Sequence, residues 1–448
     1  MANFRLTHLG AEHCVTGSCH LLQLKGLNIM VDCGLFQGDD QQQPMDQWPV
    51  PPAGIDFLFL THAHIDHIGR VPDLIEEGFK GEIICSHPTK TLLAPMLADA
   101  MRFSARPEDT ADQIEKTIDD LSWGFEYGET FDLTNGLSFK LKRAGHILGS
   151  CFIRLQDDQT GWSVLFSGDL GAADTPILVD PEPPDSVDLV VMESTYGDRL
   201  HADRKQRIEQ LGAVLTRTLG DRGKVFIPAF ALGRTQELIF EMDRLFSDPA
   251  CREKFPHLQD RKRPPVFVDT PLGLEITSIY SRLAEYWDQE ARDLHRQGDH
   301  PINFDGLYAV ENHRDHLKLC QSNGPAVILA GSGMCTGGRI VNHLRTGIEQ
   351  TENDILFVGY QATGTPGRAI QKYAKKPGGY VILDGERRTI NAGVHNLAGY
   401  SAHADQKGLV DWISAMPDKP GAIKLVHGEN GARHALKEVL ERRGYKIQ

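Results

Sequence analysis

A short stretch of the chain is unusually dense in groups that bind metal ions. Residues 61–67 read Thr-His-Ala-His-Ile-Asp-His, so three imidazoles and one carboxylate fall close together, at His62, His64, Asp66 and His67. Imidazole nitrogen and carboxylate oxygen suit a borderline cation such as zinc, and no cysteine is interleaved that would close the site with thiolates. The stretch therefore predicts a catalytic metal site rather than a structural one.

The elements on either side of this stretch indicate how it is positioned. Residues 55–60 form an apolar, aromatic-rich run of strand length, and residues 71–78 have a helical pattern with proline in the first turn. We therefore expect the histidines to lie on a loop between a strand and a helix.

The four ligands of this stretch are not expected to converge on one ion. The first two histidines alternate in direction, whereas the last two ligands lie a turn further on, so two ions are the natural solution. Further ligands are then needed, and two candidates follow strand-like segments: His146 in Gly-His-Ile-Leu-Gly-Ser, and Asp169 in Ser-Gly-Asp. Each would be an ordinary loop residue if it stood alone.

Composition limits the class of protein. A chain of 448 residues exceeds what one core usually organises, so two domains are expected. The net charge of −14 argues against non-specific nucleic-acid binding through an overall basic surface, although it leaves room for a local basic groove. The 8 cysteines contain no Cys-x-x-Cys pair, which argues against a disulfide framework or a thiolate zinc ribbon. No apolar run approaches a membrane span and the start lacks a signal-peptide pattern, so we expect a cytoplasmic protein.

Further motifs follow in order along the chain. An acid ends an apolar strand at Glu193, one histidine lies in Ser-Ala-His at His403, another follows Lys-Leu-Val at His427, and residues 331–334 read Gly-Ser-Gly-Met. Together with the metal-binding residues, this ordered set resembles the β-CASP nucleases of the metallo-β-lactamase superfamily, and the resemblance covers essentially the whole chain. It is closest to the compact bacterial members, because we expect no further domain at either end.

The resemblance implies an α/β fold. The expected architecture is a metallo-β-lactamase αββα sandwich that carries an inserted β-CASP domain with a doubly wound, mostly parallel sheet. Strand-loop-helix units favour the insert at residues 206–385, which leaves residues 1–205 and 386–448 to form the first and last parts of the sandwich.

The resemblance also implies two bound zinc ions, and manganese is compatible with the same ligand types. One ion would be held by His62, His64 and His146. The other would be held by Asp66, His67 and His427. Asp169 would bridge the two ions, and Asp32 would orient ligands without binding metal itself.

The chemistry implied is hydrolysis of phosphodiester bonds in single-stranded RNA. A hydroxide held between two ions is available at neutral pH, and paired ions neutralise charge on a phosphate. By the resemblance, His403, oriented by Glu193, would protonate the leaving alkoxide, and Asp66 is counted as catalytic as well as a ligand. Phosphate contacts are predicted at glycine-containing helix starts, at Arg234, Thr235, Ser332 and Gly333.

Several alternatives are left open. The chain could hydrolyse a small thioester, lactam or phosphodiester, or it could be a catalytically silent RNA-binding subunit. The sequence does not distinguish an endonuclease from an exonuclease, but it favours RNA over DNA as the substrate. No membrane contact is expected. A homodimer is compatible with the sequence. His313 and His316 have a spacing that could hold metal, but we favour a solvated helix face for both.

Overall fold

The computed structural model describes residues 4–38, 40, 48–102, 104, 106–201, 206–259 and 263–448. The chain forms two compact units, Met1–Leu200 with Ala402–Gln448, and His201–Ser401. The second unit extends beyond the expected limit at residue 385, because a strand at Gly393–Asn396 pairs within its sheet. No helix in the described ranges is both long and apolar enough to span a membrane.

The first unit contains a six-stranded sheet built from its N-terminal part. The first three strands pair antiparallel and the rest pair parallel. In order across the sheet they are β1 (Phe4–Gly10), β2 (Cys19–Leu24), β3 (Leu27–Val31), β4 (Phe57–Phe59), β5 (Glu82–Ser86) and β6 (Ser122–Phe125).

A second six-stranded sheet completes the first unit. In order across the sheet the strands are β7 (Thr130–Leu133), β8 (Leu137–Arg143), β9 (Cys151–Asp157), β10 (Ser163–Phe166), β11 (Leu189–Glu193) and β20 (Ala422–Val426). A strand from the C-terminal segment therefore lies at one edge. Because β11 pairs parallel with both β10 and β20, the carboxyl ends of these three strands meet at the same edge.

The two sheets face each other across one apolar core. Side chains such as Ile29 and Phe59 of the first sheet pack with Phe139 and Val191 of the second. The outer face of the second sheet, which includes Val190, is covered by the two C-terminal helices. The helices of this unit are α1 (Ile65–Ile68), α2 (Val71–Glu76), α3 (His87–Arg102), α4 (Glu108–Leu121), α13 (Gln406–Ser414) and α14 (Asn430–Arg442). Since α3 and α4 pack against β5, the layers are helix, sheet, sheet and helix, as predicted.

The second unit is built on a six-stranded sheet whose strands are all parallel. Across the sheet they are β14 (Leu307–Ala309), β13 (Val266–Asp269), β15 (Ala326–Ala330), β12 (Lys224–Pro228), β16 (Asp354–Phe357) and β19 (Gly393–Asn396). A two-stranded sheet pairs β17 (Tyr380–Leu383) with β18 (Glu386–Thr389). The helices are α5 (Arg207–Asp221), α6 (Arg234–Ser247), α7 (Pro249–Lys254), α8 (Pro271–Arg282), α9 (Gln289–Arg296), α10 (His313–Gln321), α11 (Arg339–Gly347) and α12 (Pro366–Tyr373). The central strands are apolar and buried, as expected of a parallel sheet covered by helices.

One carboxyl group on α6 makes the stability of the second unit depend on pH. Burial and repulsion by Asp299 raise the pKa of Asp243 from 3.8 to about 7, against the opposing effect of Arg263 and Arg244. The folded protein therefore holds this proton more tightly than the unfolded chain does, so stability is lost as pH rises from about 4 to about 7. We expect Asp243→Asn to raise the free energy of unfolding by about 1 kcal/mol at pH 8, after allowance for solvent screening of a half-buried group, and to leave it nearly unchanged at about pH 4. Urea titrations at both pH values measure this difference, and an equal effect at both would show that the Asp243 proton is not its cause.

Candidate metal centre

The first unit brings the metal-binding stretch to the carboxyl end of β4. His62 and His64 lie in the loop after the strand, and His64 has an extended backbone immediately before α1. Asp66 and His67 lie within α1 itself, so the predicted loop holds two of the four ligands and a helical turn holds the other two.

The remaining predicted ligands also follow strands. His146 comes after β8, Asp169 after β10 and His427 directly after β20. All three are buried. The structure therefore brings every predicted ligand into one buried cluster, although their positions span most of the chain.

Four of these residues form a first group around one point. His64 Nδ1 lies 3.1 Å from His62 Nε2 and 3.1 Å from His146 Nε2. Asp169 Oδ2 lies 3.6 Å from His62 Nε2 and 3.5 Å from His146 Nε2. Ligand atoms around a tetrahedral zinc ion lie about 3.3 Å apart, so this spacing fits one ion.

A second group adjoins the first. His427 Nε2 lies 3.3 Å from His67 Nε2 and 3.6 Å from Asp66 Oδ2. Asp169 faces this group as well, with Oδ2 3.3 Å from His67 Nε2 and Oδ1 3.5 Å from His427 Nε2. Asp169 thus lies between the two groups, in the position of a bridging ligand.

The electrostatics differ between the two groups of this cluster: burial lowers the pKa of His67, but Asp169 and Asp32 raise it well above 6.5, so a cation at His67 would displace a proton. Burial lowers the pKa of His64 to about 4 and that of His146 well below 6.5, so both rings are neutral with lone pairs available. Burial alone would raise the pKa of Asp169, but the neighbouring His427 and His67 hold it well below 3.8. Asp169 Oδ1 is buried and receives no hydrogen bond from any described residue, and a bound cation would satisfy it. The residues present therefore fit two divalent ions.

Outer hydrogen bonds fix the orientation of the ligand rings. Asp32 Oδ2 lies 2.7 Å from His67 Nδ1, as expected for an orienting carboxylate. The hydroxyls of Thr61 and Thr195 each lie 3.1 Å from a far ring nitrogen, of His62 and His427 respectively. Sequence reasoning missed both threonines, although Thr61 opens the dense stretch and Thr195 closely follows Glu193.

We expect Asp32→Asn to weaken metal binding by about 10- to 100-fold, because the amide supports the His67 ring less well than a carboxylate does. Competition with a chelator measures the affinity, and Asp56→Asn, which alters a carboxylate remote from the ligands, is the control. An unchanged metal affinity in a folded Asp32→Asn protein would show that Asp32 does not support metal binding.

A histidine and a glutamate lie at the edge of the centre. His403 Nδ1 is 3.3 Å from both carboxylate oxygens of Glu193, and its Nε2 is 3.9 Å from Asp169 Oδ2. Glu193 is itself held by the backbone N–H groups of Leu170 and Thr195. Burial lowers the pKa of His403, but Glu193 and Asp169 raise it to about 9, so the ring carries a proton at neutral pH.

The predicted phosphate contacts lie in the second unit. Arg234 is buried and ion-paired with Glu237, and the Thr235 hydroxyl donates to the carbonyl of Phe230 at 2.7 Å. Ser332 Oγ accepts a hydrogen bond from the backbone N–H of Thr336, and Gly333 is buried. Their contact with RNA stays a prediction, and Arg234 and Thr235 already have internal partners.

The expectation of a solvated helix face was correct for His313 and wrong for His316. His313 is exposed, but His316 is fully buried, with Nδ1 2.6 Å from Asp269 Oδ2. The face of α10 that carries His316 packs toward α11, so helical spacing alone did not report which face met solvent.

Comparison with known proteins places these features in a family. The model of the metallo-beta-lactamase superfamily matches residues 14–224, that of the Beta-Casp domain matches residues 235–370, and that of the Zn-dependent metallo-hydrolase RNA specificity domain matches residues 387–448. A crystal structure of a protein of unknown function from Enterococcus faecalis V583 matches with a TM-score of 0.55 at 12% identity, over 97% of this chain and 96% of that one. That likeness supports the fold alone.

Two relatives are similar over nearly the whole chain. Ribonuclease TTHA0252 of Thermus thermophilus is 36% identical and the match covers 99% of this chain and 97% of the relative. Transcription termination factor FttA of Methanocaldococcus jannaschii is 30% identical over 95% of this chain and 67% of the relative. Likeness of this extent, with the three models in the expected order, confirms the predicted family: the chain belongs to the β-CASP group of the metallo-β-lactamase superfamily.

Proposed function

We propose that this protein is a metal-dependent ribonuclease that hydrolyses phosphodiester bonds of single-stranded RNA. The observation that carries the proposal is the pair of ligand groups that share Asp169, with the His403–Glu193 pair beside them. The RNA specificity model and the likeness to a ribonuclease support RNA as the substrate. A cytoplasmic location and a preference for RNA over DNA belong to the same proposal.

We propose zinc as the resident metal, with manganese as the compatible substitute. Two such cations would supply an ionised water at neutral pH and neutralise charge on the phosphate. The first ion would be held by His62, His64 and His146. The second would be held by Asp66, His67 and His427. Asp169 would hold both, and its ionised state follows from the imidazoles around it.

His403 provides the proton for the departing oxygen. Glu193 faces Nδ1, which keeps that N–H directed to the carboxylate and leaves Nε2 to face the centre. A proton on Nε2 is then placed to pass to the alkoxide as the phosphorus–oxygen bond breaks. Glu193 stabilises the protonated ring and restricts its rotation.

A single-stranded RNA labelled separately at its 5′ and 3′ ends tests the proposal, with a DNA of matched sequence beside it. Internal products from RNA establish an endonuclease, and immediate release of labelled 5′ mononucleotide establishes an exonuclease. The metal content of the same protein sample is measured at the same time. Failure to cleave RNA with both metals bound would contradict the proposal and favour a small substrate or a silent RNA-binding subunit.

A further inference from the structure

A second cluster of metal-binding side chains lies in the other unit. His316 and Cys320 lie one turn apart on α10, and His343 lies on α11. The two imidazoles are fully buried, whereas Cys320 is partly accessible. Ligand atoms of the three residues all lie within 4.8 Å of one another. Nothing in the proposed RNA-cleaving centre uses these residues.

A buried carboxylate sets the proton positions of both imidazoles. Asp269, at the end of β13, places Oδ2 2.6 Å from His316 Nδ1 and 2.6 Å from His343 Nε2, while Arg339 donates to its Oδ1 at 2.8 Å. Since a carboxylate only accepts, a proton of each ring lies on the nitrogen that faces Asp269. Burial lowers the pKa of both rings, but Asp269 and Cys320 raise it, that of His316 to about 9, so a cation would bind at the other nitrogens, His316 Nε2 and His343 Nδ1, by displacing their protons. A carboxylate behind each histidine is the usual support of a metal-binding imidazole.

Both of these nitrogens face the same sulfur. Cys320 Sγ lies 3.5 Å from His343 Nδ1 and 3.7 Å from His316 Nε2. Around a tetrahedral zinc ion, with Zn–S about 2.3 Å and Zn–N about 2.0 Å, a sulfur and a nitrogen ligand lie about 3.5 Å apart. The observed separations match that value.

Hydrogen bonds and charge also hold this cluster without a metal. Burial raises the pKa of Cys320, but His316 and His343 lower it to about 7, and the thiolate that accepts hydrogen bonds from both rings is the form that a cation would bind. Asn342 Nδ2 lies 2.9 Å from His316 Nε2, so the amide covers a further side of the same space. Rotation of this amide by half a turn places its carbonyl oxygen there, which adds a fourth donor atom.

We propose that His316, Cys320 and His343 form a further metal site for zinc or a similar borderline cation, with Asp269 as the carboxylate that orients both histidines. A thiolate and two imidazoles are a ligand set that zinc favours over magnesium or calcium. The bound ion joins α10 to α11, and Asp269 links both to β13. This proposal is independent of the ribonuclease activity, since it concerns a ligand set of different composition.

Cobalt tests the site directly, because cobalt bound by a thiolate absorbs in the near ultraviolet. Among the metal-binding clusters found in the described residues, the one with Cys320 is the only one that contains a cysteine, so this absorption reports on that site. We expect the metal-free protein to develop the band when Co²⁺ is added, and Cys320→Ser to lose it. Cys251→Ser, at another partly accessible cysteine of the second unit, is the matched control and should keep the band.

Zinc content gives the second readout. We expect about three zinc equivalents per chain in the wild type and about two in Cys320→Ser, while both cleave RNA. Absence of the thiolate band from the wild-type protein, or its persistence in Cys320→Ser, would overturn the site. If Cys320→Ser does not fold, the wild-type spectrum still tests the site, because it is measured without any variant. A protein that shows the band but does not cleave RNA would contradict only the proposed function.

Discussion

Asp169→Asn should lower the rate of single-stranded RNA cleavage by on the order of 1000-fold. Asp169 is the one described carboxylate whose oxygens face both ligand groups, and it is ionised in the folded protein. An amide of the same size keeps the packing but removes the negative charge that offsets two divalent cations. Single-turnover rates on labelled RNA measure the loss, with bound metal determined in the same samples.

Asp174→Asn is the matched control for this change. Asp174 is exposed a few residues further along the chain, and its backbone has a φ of 56°, which asparagine tolerates. We expect this variant to cleave RNA at the wild-type rate. Wild-type cleavage by a folded Asp169→Asn protein would mean that the bridging position does not serve the reaction.

His403→Ala should lower the cleavage rate by about 100- to 10,000-fold while the protein retains its metal ions. The alanine cannot supply a proton to the departing oxygen, but every residue that would hold a metal ion is still present. Since the donor must be protonated, wild-type cleavage should decline as rising pH removes this proton, and the variant should lack that decline.

Glu193→Gln should lower the cleavage rate less than His403→Ala does, because it weakens the support of His403 and leaves the ring in place.

Single-turnover rates across a range of pH, with metal content measured alongside, distinguish this role from a structural one. His434→Ala is the control, since His434 is an exposed histidine of the same unit, paired with Glu438 on α14. Equal pH profiles for His403→Ala and the wild-type protein would show that another group donates the proton.

Four of the candidate ligands could be proposed from the sequence because their metal-binding groups are concentrated in one short stretch. His62, His64, Asp66 and His67 need no knowledge of the fold to be read as metal ligands. His427 is different, because an isolated histidine after a strand has no signature of its own, and only the resemblance to a family selected it. The threonines behind the ligand rings have no fixed spacing at all, since their position depends on how the strand ends meet.

In the second unit, the grouping of several side chains could not be predicted from the sequence. Asp269, His316 and His343 come from three separate elements, so their convergence depends on how α10 and α11 pack beside β13. Arg234 shows a related limit: it begins a helix, as a phosphate-binding residue would, but Glu237 one turn later neutralises it in a buried position. The inserted unit also ends later in the chain than expected. The reason is the pairing of β19 with β16, a long-range contact that the sequence does not show.

The most direct test of the RNA-cleaving centre is the rate of RNA cleavage by metal-free protein to which Zn²⁺ or Mn²⁺ is returned stepwise, with bound metal measured at each step. The proposed function predicts no cleavage without metal, full recovery as the ions return, and no recovery in Asp169→Asn. Cleavage by the metal-free protein at the wild-type rate would contradict it.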